Sequence, residues 1–247
     1  MTRTFRPWAA KLGTTEGPAA TLLTLLWGTC GLLIAAHLSL KVLARPSGHT
    51  WDLGVDRGYG ELFGYLLTAW SGFLLARVAL RDRAPVLAVW SSVCVYLLAD
   101  DWFQLHEAFG VWFERRVPAL GTLSNHVGEL AFLGVVGVVL ASLVAVTHLR
   151  ARPAAREVSA VLAVLFALFA FCSMVVDALH APFLSVRPVD VALTTLEDGG
   201  EILVLSAVAA FLFAVESTGH RPHLHGRWAR WFAIPPESSA HDARRRH

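Results

Sequence analysis

The stretch DVALTTLEDGGEILVLSAVAAFLFAVEST, residues 190–218, decides the fold. Its apolar run is long enough to cross a bilayer, which takes roughly 20 predominantly apolar residues. Yet Glu197, Asp198 and Glu201 lie in it, with no Lys or Arg in the segment to neutralise them. Ionisable groups at membrane depth cost several kcal/mol each, so they are by default a sign of function. The segment reads as a membrane-crossing helix whose first part carries a polar site.

Five further segments share this apolar character, at approximately 19–44, 60–80, 84–112, 126–149 and 157–181. In a chain of 247 residues, 55% of them hydrophobic, with mean hydropathy +0.53, six such spans leave little room for a soluble domain. The expected fold is therefore all-α, a polytopic bundle of six transmembrane helices over 19–218. It is flanked by a short lead-in, 1–18, and a tail, 219–247. In the tail, GRWARWFAIPP (226–236) sets Trp228, Trp231 and Phe232 among Arg227 and Arg230, a pattern suited to lying on a membrane surface.

Six spans put both termini on one side. That side carries Arg3, Arg6, Lys11, Arg77, Arg81, Arg83, Arg150, Arg152, Arg156, Arg221, Arg227 and Arg230, against Lys41, Arg45, Arg57, Arg115, Arg116 and Arg187 opposite. The positive-inside rule then places both termini in the cytoplasm, as expected for a multi-pass protein of the bacterial inner membrane. The net charge of +2 and the dominance of arginine over lysine give no reason to expect a nucleic-acid partner; the bilayer is the partner the composition implies. Cys30, Cys94 and Cys172 lie within apolar spans without metal-type spacing and read as small buried hydrophobes.

Acidic residues and histidines gather at the other end of the spans. The third segment ends in DDWFQLHE (100–107), which supplies Asp101, His106 and Glu107 beside Asp100. The fourth opens with His126 and Glu129, three residues apart and so on one helix face. VVDALHAP (175–182) repeats that spacing with Asp177 and His180, and the sixth segment adds Glu197 and Glu201. Glu61 enters the second span from this side, His37 lies in the corresponding half of the first, and His49, Asp52 and Asp56 sit in the adjoining loop.

Mixed carboxylates and imidazoles delivered from separate helices are what a metal centre needs. Bundles holding two iron or manganese ions use about four Asp/Glu and two His, and His126, Glu129, Asp177, His180, Glu197 and Glu201 match that count. These six are the expected metal ligands, with His106, Glu107 and Asp101 as catalytic or proton-transfer groups. The excess of acids over histidines favours iron or manganese slightly; zinc, held by His106, His126 and His180 with a carboxylate base, stays open. The class expected is a metal-dependent membrane enzyme acting on a lipid or lipid-soluble substrate, by oxidation with iron or manganese and by hydrolysis with zinc. A cation- or proton-coupled transporter and an accessory subunit of a membrane complex are the alternatives.

The segments LADDWFQLHE (98–107), VVDALHAP (175–182) and TLEDGGEIL (195–203) together resemble the signature stretches of a loosely defined group of uncharacterised bacterial polytopic membrane proteins. The resemblance marks Asp100, Asp101, His106, Glu107, Glu197, Asp198 and Glu201 as members of a shared polar site. It implies no reaction. Seven-helix ceramidase-like metal hydrolases differ by a late-helix HxxxH pair and by one further helix.

Overall fold

A computed structural model describes residues 18–183 and 185–218, and within them the protein is entirely helical. The lead-in 1–17 and the tail 219–247, with its expected membrane-surface stretch, lie outside the described residues. Seven helices follow in order: α1 (Pro18–Leu43), α2 (Tyr59–Asp82), α3 (Pro85–Phe103), α4 (Leu105–Arg116), α5 (Ser124–Leu149), α6 (Pro153–His180) and α7 (Arg187–Thr218). All but α4 are long and apolar enough to cross a membrane.

Local chemistry sets the boundaries. Pro18, Pro85 and Pro153 open α1, α3 and α6, where a missing N–H costs nothing because the first turn has no acceptor for it. Arg83, in the left-handed region at φ 50°, ends α2 and donates its N–H to the Ala79 carbonyl, giving the tight turn into α3. The third apolar segment is not one helix, as its sequence suggests, but two. Gln104 takes φ 51° and donates its N–H back to the Asp100 carbonyl, and the Asp100 side chain accepts the His106 N–H at 3.2 Å, satisfying a donor at the start of α4. The polar residues DDWFQLHE thus bend the chain out of the span at the membrane boundary.

The centre of the bundle is α2, α3 and α7, with α1 and α6 packed on α7. Away from the acidic end the core is dry: Leu75, Val86, Leu87, Val158, Leu162, Val208, Leu212 and Val215 are all essentially inaccessible. Trp90 stacks on Phe166 with ring centroids 5.1 Å apart, and its Nε1–H donates to Ser159 at 2.9 Å. At the margin of this core Glu216 of α7 is gripped by Arg77 and Arg81 of α2, each at 2.9 Å. Large apolar side chains such as Leu32, Phe73, Leu80 and Val138 point outward, as a lipid-facing surface requires.

Helices α4 and α5 form a separate hairpin leaning on α3. Two glycines let them touch. A Cβ on Gly128 would stand 2.7 Å from the Phe113 Cβ and 3.0 Å from the Gly110 Cα, and one on Gly110 would meet the Asn125 carbonyl oxygen at 3.0 Å. Such contacts cannot be relieved by a rotamer change, because backbone is on the other side. Gly128→Ala is therefore expected to destabilise the hairpin by about 1–3 kcal/mol, read as a lower thermal midpoint in detergent, whereas Gly134→Ala, where a Cβ meets nothing within 4 Å, does not lower it, since alanine favours a helix interior over glycine.

Candidate functional site

The ends of α1, α2, α3, α6 and α7 that carry the acids do meet. His180, the last residue of α6, is buried and held through both ring nitrogens, Nδ1 at 3.0 Å from Glu197 and Nε2 at 3.0 Å from Asp190, both on α7. Glu197 is within electrostatic reach of Asp177, whose side chain is otherwise exposed at the end of α6. One turn deeper on α7, Glu201 is within electrostatic reach of Ser173, Asp198, Asp101 and Glu197. Asp198 in turn is within reach of Glu197, Asp52, His180 and Glu61.

A π-helical turn in α6, Phe171–Val176, makes part of this possible. It faces α7 where Gly200 brings the backbones together; a Cβ there would lie 2.8 Å from the Cys172 sulfur. π-turns inside α-helices recur at functional sites, and this one carries Ser173 to Glu201.

On α2, Glu61 accepts hydrogen bonds from the Arg57 N–H and the Tyr65 hydroxyl. The same hydroxyl lies 3.4 Å from the Asp101 carbonyl on α3, and the Asp101 side chain is within reach of Asp100, His106 and Glu61. The loop between α1 and α2 closes over the site. Leu53 is buried, and a Cβ on Gly54 would meet Thr194 at 3.1 Å and Asp198 at 3.5 Å.

His106 stands at the rim, outside the membrane-spanning part of α3. Its Nδ1 lies 2.9 Å from the Asp100 carboxylate, and that hydrogen bond holds the imidazole pKa above its ordinary value, against the opposing effect of burial. Glu107 is tied to the same corner by Gln104, whose amide donates to Glu107 and Asp56, each at 3.2 Å.

The six expected metal ligands fall into two places. Asp177, His180, Glu197 and Glu201 gather around α6 and α7. His126 and Glu129 belong to the α4–α5 hairpin, where Glu129 accepts from Asn125 at 2.6 Å and lies 3.5 Å from a His126 ring that is two-thirds exposed. Among the described residues no Cα of α5 comes within 8 Å of one on α7. The spacing of three was read correctly as one helix face, but sequence does not say that α5 leans outward on α3. In their place the structure brings in Asp190 and Asp198, and no three His, Cys, Asp or Glu side chains among the described residues stand ready as a preformed metal-binding triad. His180 is instead tied by hydrogen bonds between Glu197 and Asp190.

Depth is the other feature. Glu201 lies fourteen residues along α7, roughly 21 Å from its start at 1.5 Å per residue. From there to Glu216 α7 carries no Asp, Glu, Lys, Arg or His, and the face packed inward is Leu205, Val208, Ala209, Leu212 and Val215. The polar site opens at one end of the bundle and is closed below by about 22 Å of mostly apolar packing.

These features define a class: an all-helical protein with six helices long and apolar enough to cross a membrane and a carboxylate-rich cluster at one end of the bundle. Residues 17–215 match the family described as a domain of unknown function (DUF8692), and the chain belongs to that family. Neither a curated protein nor a solved structure matches it.

The His106 corner is open to a direct test. Asp100→Asn removes the charge that favours the imidazolium, so the His106 pKa is expected to fall, followed by histidine NMR over a pH series. A His pKa raised in the folded state gives stability that is complete below the unfolded value, ordinarily about 6.5, and lost as pH rises through the raised value. The wild-type and Asp100→Asn melting temperatures should therefore differ most in mildly acidic buffer and converge in alkaline buffer.

Proposed function

We propose that the acidic pocket binds a divalent cation and that the protein is a metal-dependent membrane enzyme acting on a lipid or lipid-soluble substrate. The observation that carries this is the density of carboxylates. Asp190, Glu197, Asp198 and Glu201 of one helix, all partly buried, lie within electrostatic reach of one another or of the same partners. Like charges so placed repel strongly at the reduced effective dielectric of a bundle interior. Of the cations at the rim, Lys41 is 2.6 Å from Asp52, Arg187 donates to the Lys41 carbonyl at 2.8 Å, and Arg57 meets Glu61 through its backbone. A bound dication supplies the missing positive charge.

His180 and Asp190 are the nearest imidazole and carboxylate donors, with Asp198, Glu201 and Asp177 around them. Glu197 holds the His180 ring as carboxylates do for metal-bound histidines. An oxygen-rich set of this kind suits manganese or iron better than zinc. A metal ion there would act as a Lewis acid toward a substrate oxygen and lower the pKa of a bound water. Asp101 and Glu61, within electrostatic reach of each other, are the groups to take or give protons at the mouth. His106 and Glu107 sit further out and serve the geometry of the α3–α4 corner.

The orientation with both termini in the cytoplasm belongs to this proposal, as does location in a bacterial inner membrane. It puts the pocket on the extracytoplasmic face, and the charge asymmetry of the connections supports it. The segments 1–18 and 219–247 are then cytoplasmic.

A second reading, cation- or proton-coupled transport, draws on the depth of Glu201 near the middle of α7. The apolar closure below it argues against a route to the other face, since alternating access needs a site reachable from both sides.

Elemental analysis of the full chain purified into nanodiscs after manganese-supplemented growth tests the proposal. About one equivalent of metal is expected in the wild type and in His126→Ala, and a loss of at least tenfold in occupancy in His180→Ala and Asp190→Asn. A metal-free wild type, or loss caused only by His126→Ala, overturns it. Proteoliposomes showing cation-driven flux abolished by Glu201→Gln would replace it with transport.

A further inference from the structure

A groove of about 580 Å³ runs down the outside of the α2–α3 pair, within the roughly 300–1,000 Å³ of small-molecule sites. Ala69 and Ala99 leave the space, and Leu62, Leu66, Trp102 and Phe103 stand around it, all four exposed. The two helices are antiparallel, with Tyr65 beside Trp102 and Gly72 beside Cys94. The groove therefore follows the spans, from the acidic end toward the middle of the bundle, for about 10–12 Å at 1.5 Å per residue. That is most of the roughly 15 Å of hydrocarbon in one leaflet, and it lies in the direction of the bilayer's own chains.

The acidic end of the groove is closed by one side chain. Tyr65 is buried and lines the groove, its ring 5.7 Å from that of Trp102. Its hydroxyl reaches the other way, to Glu61 and, at 3.4 Å, to the Asp101 carbonyl. Glu61 and Asp101 immediately precede Leu62 and Trp102, so they flank the groove where it meets the acidic site. The hydrogen-bonding groups there are unevenly matched. The Tyr65 hydroxyl and the Arg57 N–H both donate to Glu61, and the Asp101 carboxylate takes a hydrogen bond from none of the described residues. Arg57 is the cation within reach of Tyr65, and His106 the imidazole within reach of Asp101. Against them stand Glu61 and Asp101, with Asp198 within reach of the first and Glu201 within reach of the second.

Resting on the reading of a lipid or lipid-soluble substrate, we propose that this substrate docks from the bilayer in the α2–α3 groove and is a long-chain alcohol or amine. Its chain lies between Leu62, Leu66, Trp102 and Phe103, and its head stands at Asp101 beside Tyr65. Bilayer chains are as apolar as the groove, so the chain alone gives little preference over bulk lipid. Selection lies with the head. A hydroxyl or ammonium group supplies the donor that Asp101 lacks. A phosphate head brings acceptors and a further negative charge to a place where the acids outnumber the bases. Tyr65 is a positioning residue, tying the groove wall to Glu61.

Photolabelling of the EDTA-treated full chain in nanodiscs tests this. The probes are a long-chain amine, a long-chain alcohol and a phosphatidylglycerol, each with a diazirine midway along the chain, and labelled peptides are quantified by mass spectrometry. The amine and the alcohol are expected to label 62–69 and 95–103 more than the exposed 135–146 stretch of α5 by about tenfold or more, the least that a hydrogen bond to a charged group commonly gives. The phosphatidylglycerol is expected to show no such preference. Ala69→Phe, which fills the groove from an exposed position, and Asp101→Leu, which leaves the groove open, should each abolish the enrichment. Uniform labelling of α2, α3 and α5, equal enrichment of the phosphatidylglycerol, or undiminished enrichment in a folded Ala69→Phe protein overturns the proposal. Metal plays no part in the measurement, so each of these results leaves the cation site standing. A wild type that enriches the probes but holds no metal after supplemented growth overturns the cation site alone.

Discussion

Carboxylates crowded and partly buried at one end of the bundle are the constraint on which the rest of this structure turns. On translocon-based measures each would cost about 3 kcal/mol at the centre of a span, and their mutual repulsion adds to that. The fold spends its irregularities there. The π-turn of α6 delivers Ser173 to Glu201, Gly200 admits the close approach that this needs, and the α1–α2 loop folds down with Leu53 buried beneath it. The opposite half of the bundle is regular helix packed with Leu and Val and secured by the Arg77–Glu216–Arg81 cluster.

This division explains why α7 is the organising element. It contacts α1, α2 and α6, and along its length it changes from acidic residues that need partners to apolar residues that need only shape. A helix with the same apolar content and no acids would satisfy the packing equally well. The acids at 190, 197, 198 and 201 add little to stability, because a buried ionic group rarely improves on a well-packed apolar one, and this is the ground on which the proposed cation site rests.

Much of the architecture was legible in the sequence, because spans declare themselves by length and apolarity: all six segments appear as helices, displaced by at most a few residues at most of their ends. The third was the exception. Its apolar run continues through Phe103, and Gln104 is not a residue that announces a break; the signal was Asp100, whose side chain caps the next helix, and capping from a preceding helix has no fixed sequence signature. Within the site, His180 and Glu197 were found by periodicity and do meet. His126 and Glu129 obey the same periodicity and lie elsewhere, since the Gly110–Gly128 contact pairs α5 with α4 and α5 makes none with α7 among the described residues. His37 was visible as a polar residue in an apolar span but had no nearby acid in sequence; Asp52 reaches it only through the fold of the loop.

The most direct measurement is the position of the ion itself. Anomalous diffraction at the manganese edge, from crystals of the full chain grown with Mn²⁺, should give one dominant peak between the start of α7 and the ends of α1 and α6, at coordination distance from His180. A peak at the α4–α5 hairpin beside His126 and Glu129, or none at an occupancy where surface sites are visible, would contradict the account.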